Sequence, residues 1–124
     1  MKCMKKLPDA ELEVMQAIWS CELPVLRSDI DEILKESHPM APTTLLTLLS
    51  RLADKDFIRI EKTGRFAKYY PLVNEEEYLA SESQMFIKKV FKGNVSVFAN
   101  ALCDSGLTKE ELSMLRELLE KNEL

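Results

Sequence analysis

Apolar residues in the first half of the chain recur at helical spacing, and each such run ends at a proline or a change of period. The first predicted helix opens at Leu7-Pro8-Asp9-Ala10-Glu11 and turns Leu12, Met15, Ile18 and Trp19 inward. Pro8 suits an early helical position, and Asp9, Glu11 and Glu13 sit near the positive end of the helix dipole. At this spacing Trp19 reads as a core anchor rather than a ligand-stacking ring. Cys21-Glu22-Leu23-Pro24 breaks the helix, and Val25-Leu26 reads as a short extended piece. A second helix follows over 28–37, with Ile30, Ile33 and Leu34 facing in, Ser28 as its cap and Asp31 completing a weak capping box. Ser37-His38-Pro39-Met40 ends it, and His38 is read as a solvated turn residue.

The stretch from Ala41 to Lys55 carries two stripes. Leu45, Leu48, Leu49 and Leu52 form the apolar one, while Thr44, Thr47 and Arg51 form a polar one at i, i+3 and i+7. Pro42 falls near N1, where its missing amide hydrogen costs nothing, whereas Ala41 is a poor cap. After Asp56 the period drops to two. Phe57–Lys62 and Phe66–Pro71 flank Thr63-Gly64-Arg65, which is the pattern of a β-hairpin with Arg59, Arg65 and Lys68 on or near its tip. Helix, helix, amphipathic helix and basic hairpin is the order of a winged helix-turn-helix, in which the third helix enters the major groove and the hairpin touches the flanking backbone.

From Asn74 the character changes. A helix begins at Asn74-Glu75-Glu76-Glu77 and presents Tyr78, Leu79, Met85, Phe86, Val90 and Phe91 as a broad apolar face, stopped by Gly93-Asn94. A second piece, from Val95 to about Leu102, contains Val97 and Phe98. A third starts at Leu107-Thr108, where Thr108 and Glu111 match a capping box, and carries Leu112, Leu115, Leu118 and Leu119. These helices lack a large core of their own to cover, so packing against a second copy is the favoured way to bury Tyr78, Phe86, Val90, Phe91, Phe98, Leu112, Leu115 and Leu119. Folding back on the amino-terminal region is the competing arrangement. The predicted fold class is therefore mainly α with a small β-hairpin: a winged helix-turn-helix domain over 1–73 and a helical dimerisation domain over 74–124.

Composition sharpens this picture in three ways. Net charge over the 124 residues is −4, which argues against non-specific coating of nucleic acid. Between Ala41 and Tyr70, however, six basic residues (Arg51, Lys55, Arg59, Lys62, Arg65, Lys68) outnumber three acidic ones, Asp54, Asp56 and Glu61. Cys3, Cys21 and Cys103 are widely spaced and, with the single His38, form no readable zinc motif, so reduced, partly buried thiols and no metal or cofactor are expected. One histidine, no glycine-rich phosphate loop and no nucleophile constellation leave nothing on which to build catalysis. Without an apolar run of about 18 residues or a leader before Leu7, the chain reads as cytoplasmic, with no membrane insertion.

The run Leu12-Glu13-Val14-Met15 with Ile18-Trp19, the run Thr44 to Leu52 and the run Lys68-Tyr69-Tyr70-Pro71 together resemble the penicillinase-repressor family of β-lactam resistance regulators and copper regulators. The similarity extends into the tail at Leu115-Arg116-Glu117-Leu118-Leu119. It implies a homodimeric repressor on a palindromic double-stranded DNA operator, with Thr43, Thr44, Thr47 and Arg51 on the recognition helix and Lys62, Arg65 and Lys68 on the wing. Three positions depart from the pattern: Thr43 stands where a lysine is common, Ala41 replaces a hydroxyl cap, and Leu46 occupies a place better suited to a polar or basic side chain. Leu46 is left two roles, touching a thymine methyl or packing on the wing.

The resemblance also implies relief of repression by a regulatory protease that cuts the tail after an asparagine. The aligned bond is Asn100-Ala101, where the family carries a phenylalanine after the asparagine; the bland alternative is an asparagine that merely sits on a helix. The cysteine-rich tail of the copper branch is absent. A winged-helix protein-interaction module, with the basic hairpin as its docking surface, is the competing functional class.

Overall fold

The structure, a computed structural model, describes residues 6–122; Cys3 lies outside the described residues. Six helices and three strands run in the order α1 (Asp9–Ser20), β1 (Val25–Leu26), α2 (Arg27–Ser37), α3 (Pro42–Asp54), β2 (Ile58–Thr63), β3 (Phe66–Pro71), α4 (Glu75–Val90), α5 (Val95–Cys103) and α6 (Lys109–Lys121). The chain forms two compact units, Met1–Glu82 and Ser83–Leu124, which join inside α4.

In the first unit most of the predicted stripes become the core, with Val14 added to that of α1 and Leu12 and Trp19 only half-buried at its edge. Val14, Met15 and Ile18 of α1, Ile30 and Leu34 of α2, and Leu45, Leu49 and Leu52 of α3 are buried together with Ile58 and Tyr69 of the sheet. The hairpin is one edge of a three-stranded antiparallel sheet of order β1-β3-β2, because Val25 and Leu26 pair with Tyr69 and Lys68. Thr63 pairs with Phe66, leaving Gly64 and Arg65 as a two-residue turn. Gly64 holds φ +63 there, the left-handed geometry that hairpin turns need in order to follow strand twist.

Four local expectations are corrected. Helix α2 begins one residue earlier than predicted. Its first turn is closed by the Asp29 carboxylate, which accepts from the Leu26 amide at 3.0 Å, so Ser28 and Asp31 do not cap it. Ile33, expected inside, is 37% exposed, because the core-facing stripe of α2 narrows to Ile30 and Leu34. Arg59 stands at the base of the wing opposite Tyr70, not at its tip. Tyr78, expected on the dimer face, is only 2% exposed within the first unit. Its hydroxyl accepts from the Leu7 amide at 3.0 Å, and its ring meets Trp19 and Phe57 at centroid distances of 5.7 and 5.8 Å. The first turns of α4 thus complete the amino-terminal core, and the compact units meet after 82 rather than at 73/74. Trp19 packs against that core as anticipated, and its indole N–H donates to the Val73 carbonyl at 2.9 Å.

The join between α3 and β2 fixes the recognition helix to the wing. Asp56 adopts φ +62; its amide donates to Ala53 and that of Phe57 to Leu52, closing the helix in a Schellman motif that buries Phe57. The Lys55 ammonium pairs with the buried carboxylate of Glu11 on α1.

In the second unit the predicted Thr108–Glu111 capping box is present, and Asn94, read in the sequence as a helix stop, also caps α5. Asn94 accepts from the Val97 amide, and Thr108 and Glu111 exchange bonds of 3.1 and 2.9 Å.

Candidate nucleic-acid interface

At about 100° per residue, the buried leucines of α3 leave an exposed arc of roughly 160° made of Leu46, Ser50, Thr43, Asp54, Thr47, Arg51 and Thr44, in that angular order, with Asp54 at the carboxyl end of the helix. All the recognition-helix candidates therefore share one surface. Ser50 lies on it between Leu46 and Thr43, a position that sequence reading did not single out. The spacing 43, 47, 50 was the signal available, and the hydroxyl stripe read as 44, 47, 51 hid it. Thr47 donates its hydroxyl hydrogen to the Thr43 carbonyl at 2.9 Å. That leaves its lone pairs to accept from an exocyclic amino group of cytosine or adenine and its methyl free for apolar contact.

The positive charges sort themselves by partner. Lys55 is spent on Glu11, and Arg59 pairs with Glu61 at 3.1 Å while its guanidinium lies 4.3 Å from the centroid of the Tyr70 ring. Among the described residues, Arg51, Lys62, Arg65 and Lys68 have no carboxylate within ion-pair distance. Arg51, Lys62 and Arg65 are exposed and Lys68 is half-buried. Strand alternation puts Lys62 on the face of Ile58 and Ile60, whereas Lys68 occupies the other face, directly across from Glu61. Lys62 and Arg65 thus lie at the wing end, and Lys68 stands apart from them.

Between the start of α2, α3 and the wing lies a concavity of about 380 Å³ lined by Leu26, Arg27, Ser28, Leu46, Arg65, Phe66, Ala67 and Tyr69. It couples the Arg65 guanidinium, that of Arg27, which lies 3.8 Å from the Asp31 carboxylate, and a helix start to an apolar floor, a surface that fits phosphates at its rim and base edges within. Arg27 and Ser28 were not singled out in the sequence, since only the fold brings α2 beside the wing. A second open groove, lined by Cys21, Glu22, Leu23, Pro24, Asp29, Glu32 and Ile33, is acidic and unsuited to a polyanion. Burial, reinforced by the charge of Asp29 and opposed by a hydrogen bond with Ser20, pushes the Cys21 thiol above its ordinary value and keeps it protonated at neutral pH. Cys103, expected to be partly buried, is exposed at the end of α5.

In the second unit no described residue is fully buried. Phe86, Phe91 and Phe98 meet edge to face at centroid distances of 5.2–6.4 Å. Phe91, Phe98, Leu112 and Leu115 are half-covered, while Phe86, Val90 and Leu119 stay exposed, Leu119 at 65%. Asn100 and Ala101 are exposed on α5.

Comparison with known proteins matches residues 7–121 to the family model for the penicillinase repressor. The chain is 32% identical to the penicillinase repressor of Bacillus licheniformis over 96% of its own length and 95% of the relative's. It is 34% identical to the methicillin resistance regulatory protein MecI of Staphylococcus aureus strain N315, over 94% of each. Among solved structures, it is similar to the monomeric form of Bacillus licheniformis BlaI in complex with the blaP half-operator. That likeness has a TM-score of 0.52 and 33% identity, and covers 63% of this chain and 94% of the other. The DNA-binding domain of the repressor BlaI gives the same values. The winged helix, the surface of α3 and the near full-length similarity converge on one conclusion: this chain belongs to the penicillinase repressor family, a family of transcriptional repressors rather than enzymes.

Proposed function

We propose that the chain is a homodimeric repressor that occupies a palindromic DNA operator, with α3 in the major groove and the wing against the flanking backbone. The observation that carries this reading is the surface of α3. Every candidate on it is exposed, and Arg51, Lys62 and Arg65 are uncommitted to carboxylates among the described residues. Thr43, Thr44, Thr47 and Arg51 address base edges and nearby phosphates, and Lys62 and Arg65 the backbone. Lys68, half-buried on the other face of the sheet from Lys62, is the least accessible of the wing candidates. That the related BlaI is solved in complex with a half-operator supports the DNA-binding part of this reading.

Dimerisation belongs to the second unit, whose apolar side chains find too little cover in one copy. A second copy would bury Phe86, Val90 and Leu119 and finish the cluster begun by Phe91 and Phe98. Release follows from a regulatory protease acting at Asn100-Ala101. Helix α5 has nine residues and none is buried, so opening it locally costs little. Cutting there severs α6 from the rest of the chain, weakens the dimer and lowers operator occupancy by mass action. Regulation of a β-lactam resistance operon is the role that the related regulators suggest. No helix among the described residues is long and apolar enough to cross a membrane.

The test is a gel-shift series with the full chain and the promoter region upstream of its own coding sequence. Saturable binding that resists competitor DNA and falls steeply with salt supports the reading. Absence of binding at low salt refutes it and favours a protein-interaction module.

A further inference from the structure

The DNA-facing surface carries two large apolar side chains with no packing reason to be there. Leu46 is 44% exposed at one edge of the α3 arc, and Phe66 is 70% exposed beside the wing turn. Both line the concavity whose other walls include Arg27, Ser28 and Arg65. An isolated exposed leucine would mean little. Here it stands beside Ser50 and Thr43 on the surface proposed to read base edges. It also lines a notch whose rim carries the Arg65 guanidinium, without a carboxylate partner among the described residues and able to draw a phosphate, and that of Arg27, which pairs with Asp31 at 3.8 Å.

We propose that Leu46 is a specificity-determining residue that reads the C5 methyl group of a thymine in each half-site. The proposal rests on the DNA-reading role of α3 given above. In the major groove, thymine presents one acceptor and one methyl group, and that methyl is the largest apolar feature on any base-pair edge. A leucine can neither donate to nor accept from guanine, cytosine or adenine. Placed over those bases it would desolvate polar edges without replacing their hydrogen bonds, which is a penalty. Over thymine it gains the burial of a methyl group. The wall formed by Phe66, Ala67 and Tyr69 keeps the notch apolar on the wing side and leaves water little to bind there. Leu46 therefore favours thymine both by what it contacts and by what it rejects.

The experiment selects binding duplexes from a random pool with the full-length chain. Each thymine of the selected site is then replaced in turn by uracil, which removes only the methyl. At one position per half-site, wild-type binding should weaken about 4-fold for a single replacement, the ratio that burial of one such group gives. Leu46→Ala should bind the thymine and uracil duplexes at that position equally, while any methyl effects owed to Thr43, Thr44 or Thr47 persist. Equal unfolding midpoints for Leu46→Ala and wild type show that the fold is intact, as the exposure of this side chain leads one to expect. If no uracil replacement matters, or if every methyl effect survives in Leu46→Ala, the assignment is wrong while DNA binding stands. If no duplex is selected, the DNA-reading role fails and this inference with it.

Discussion

Arg51 is the residue on which the proposed reading of bases and phosphates turns. It is exposed, lies on the arc with Thr44 and Thr47, and is not held by Asp54, the nearest acid in sequence. Arg51→Ala should reduce operator affinity by about 1–3 kcal/mol if the guanidinium reaches a base. Unchanged affinity at moderate salt, measured by fluorescence anisotropy, would remove it from the interface. Lys55 has the same charge and a neighbouring sequence position, yet it serves the fold. Replacing it strands the Glu11 carboxylate, which is almost wholly buried. Lys55→Ala should therefore lower stability by about 3 kcal/mol. The pair Glu11→Gln with Lys55→Met should recover most of that loss, as read by urea unfolding. A Lys55→Ala protein as stable as wild type would show that the pair is an exposed, screened contact. Sequence spacing treats Arg51 and Lys55 as two members of one basic cluster; only the position of α1 separates them.

At the scale of elements, α4 is where two roles meet. Its first turns belong to the amino-terminal core through Tyr78, and its last turns carry the apolar face of the second unit. A fragment ending at residue 82 should be a folded monomer that binds a half-site weakly, whereas one ending at 73 lacks Tyr78 and should unfold well below it. Thermal unfolding and sedimentation of the two fragments check this; equal midpoints would place Tyr78 outside the core. The helical period of the tail was plain in the sequence, as were its capping residues. What the pattern could not show is that one apolar face changes partner halfway along a continuous helix. Tyr78 and Phe86 sit on similar stretches of sequence, and only long-range packing assigns them to different units.

For the molecule as a whole, two tyrosines set a limit at high pH. Burial raises the Tyr78 hydroxyl above its ordinary value; the Leu7 amide opposes this, and Glu82 adds to it through its charge and side chain. Burial likewise raises Tyr69, opposed by the charge of Arg27. Each folded-state pKa lies above that of the unfolded chain, so the neutral ring stabilises the fold fully below the usual tyrosine value of about 10. That contribution is lost as pH rises through the folded values. The unfolding midpoint should drop on alkaline titration, and Tyr78→Phe should flatten the drop while costing about 1 kcal/mol at neutral pH through the unpaired Leu7 amide. A profile unaltered by that substitution would mean that the hydroxyl is solvated in the folded state.

The sequence by itself determined the helices, the hairpin and the fold class, because helical and strand periods, the proline at the start of α3 and the glycine at the wing turn are local constraints on the backbone. It also determined that α3 presents hydroxyl groups and a guanidinium opposite four leucines, which follows from 3.6 residues per turn alone. The tertiary structure decided which cations are spent inside the fold, that β1 closes the sheet, where the two units meet, and that Leu46, Phe66, Arg27 and Ser28 share one concavity with Arg65. Those facts depend on residues about 20 to 70 positions apart being brought together by burial of a common core, and no local pattern encodes such distances.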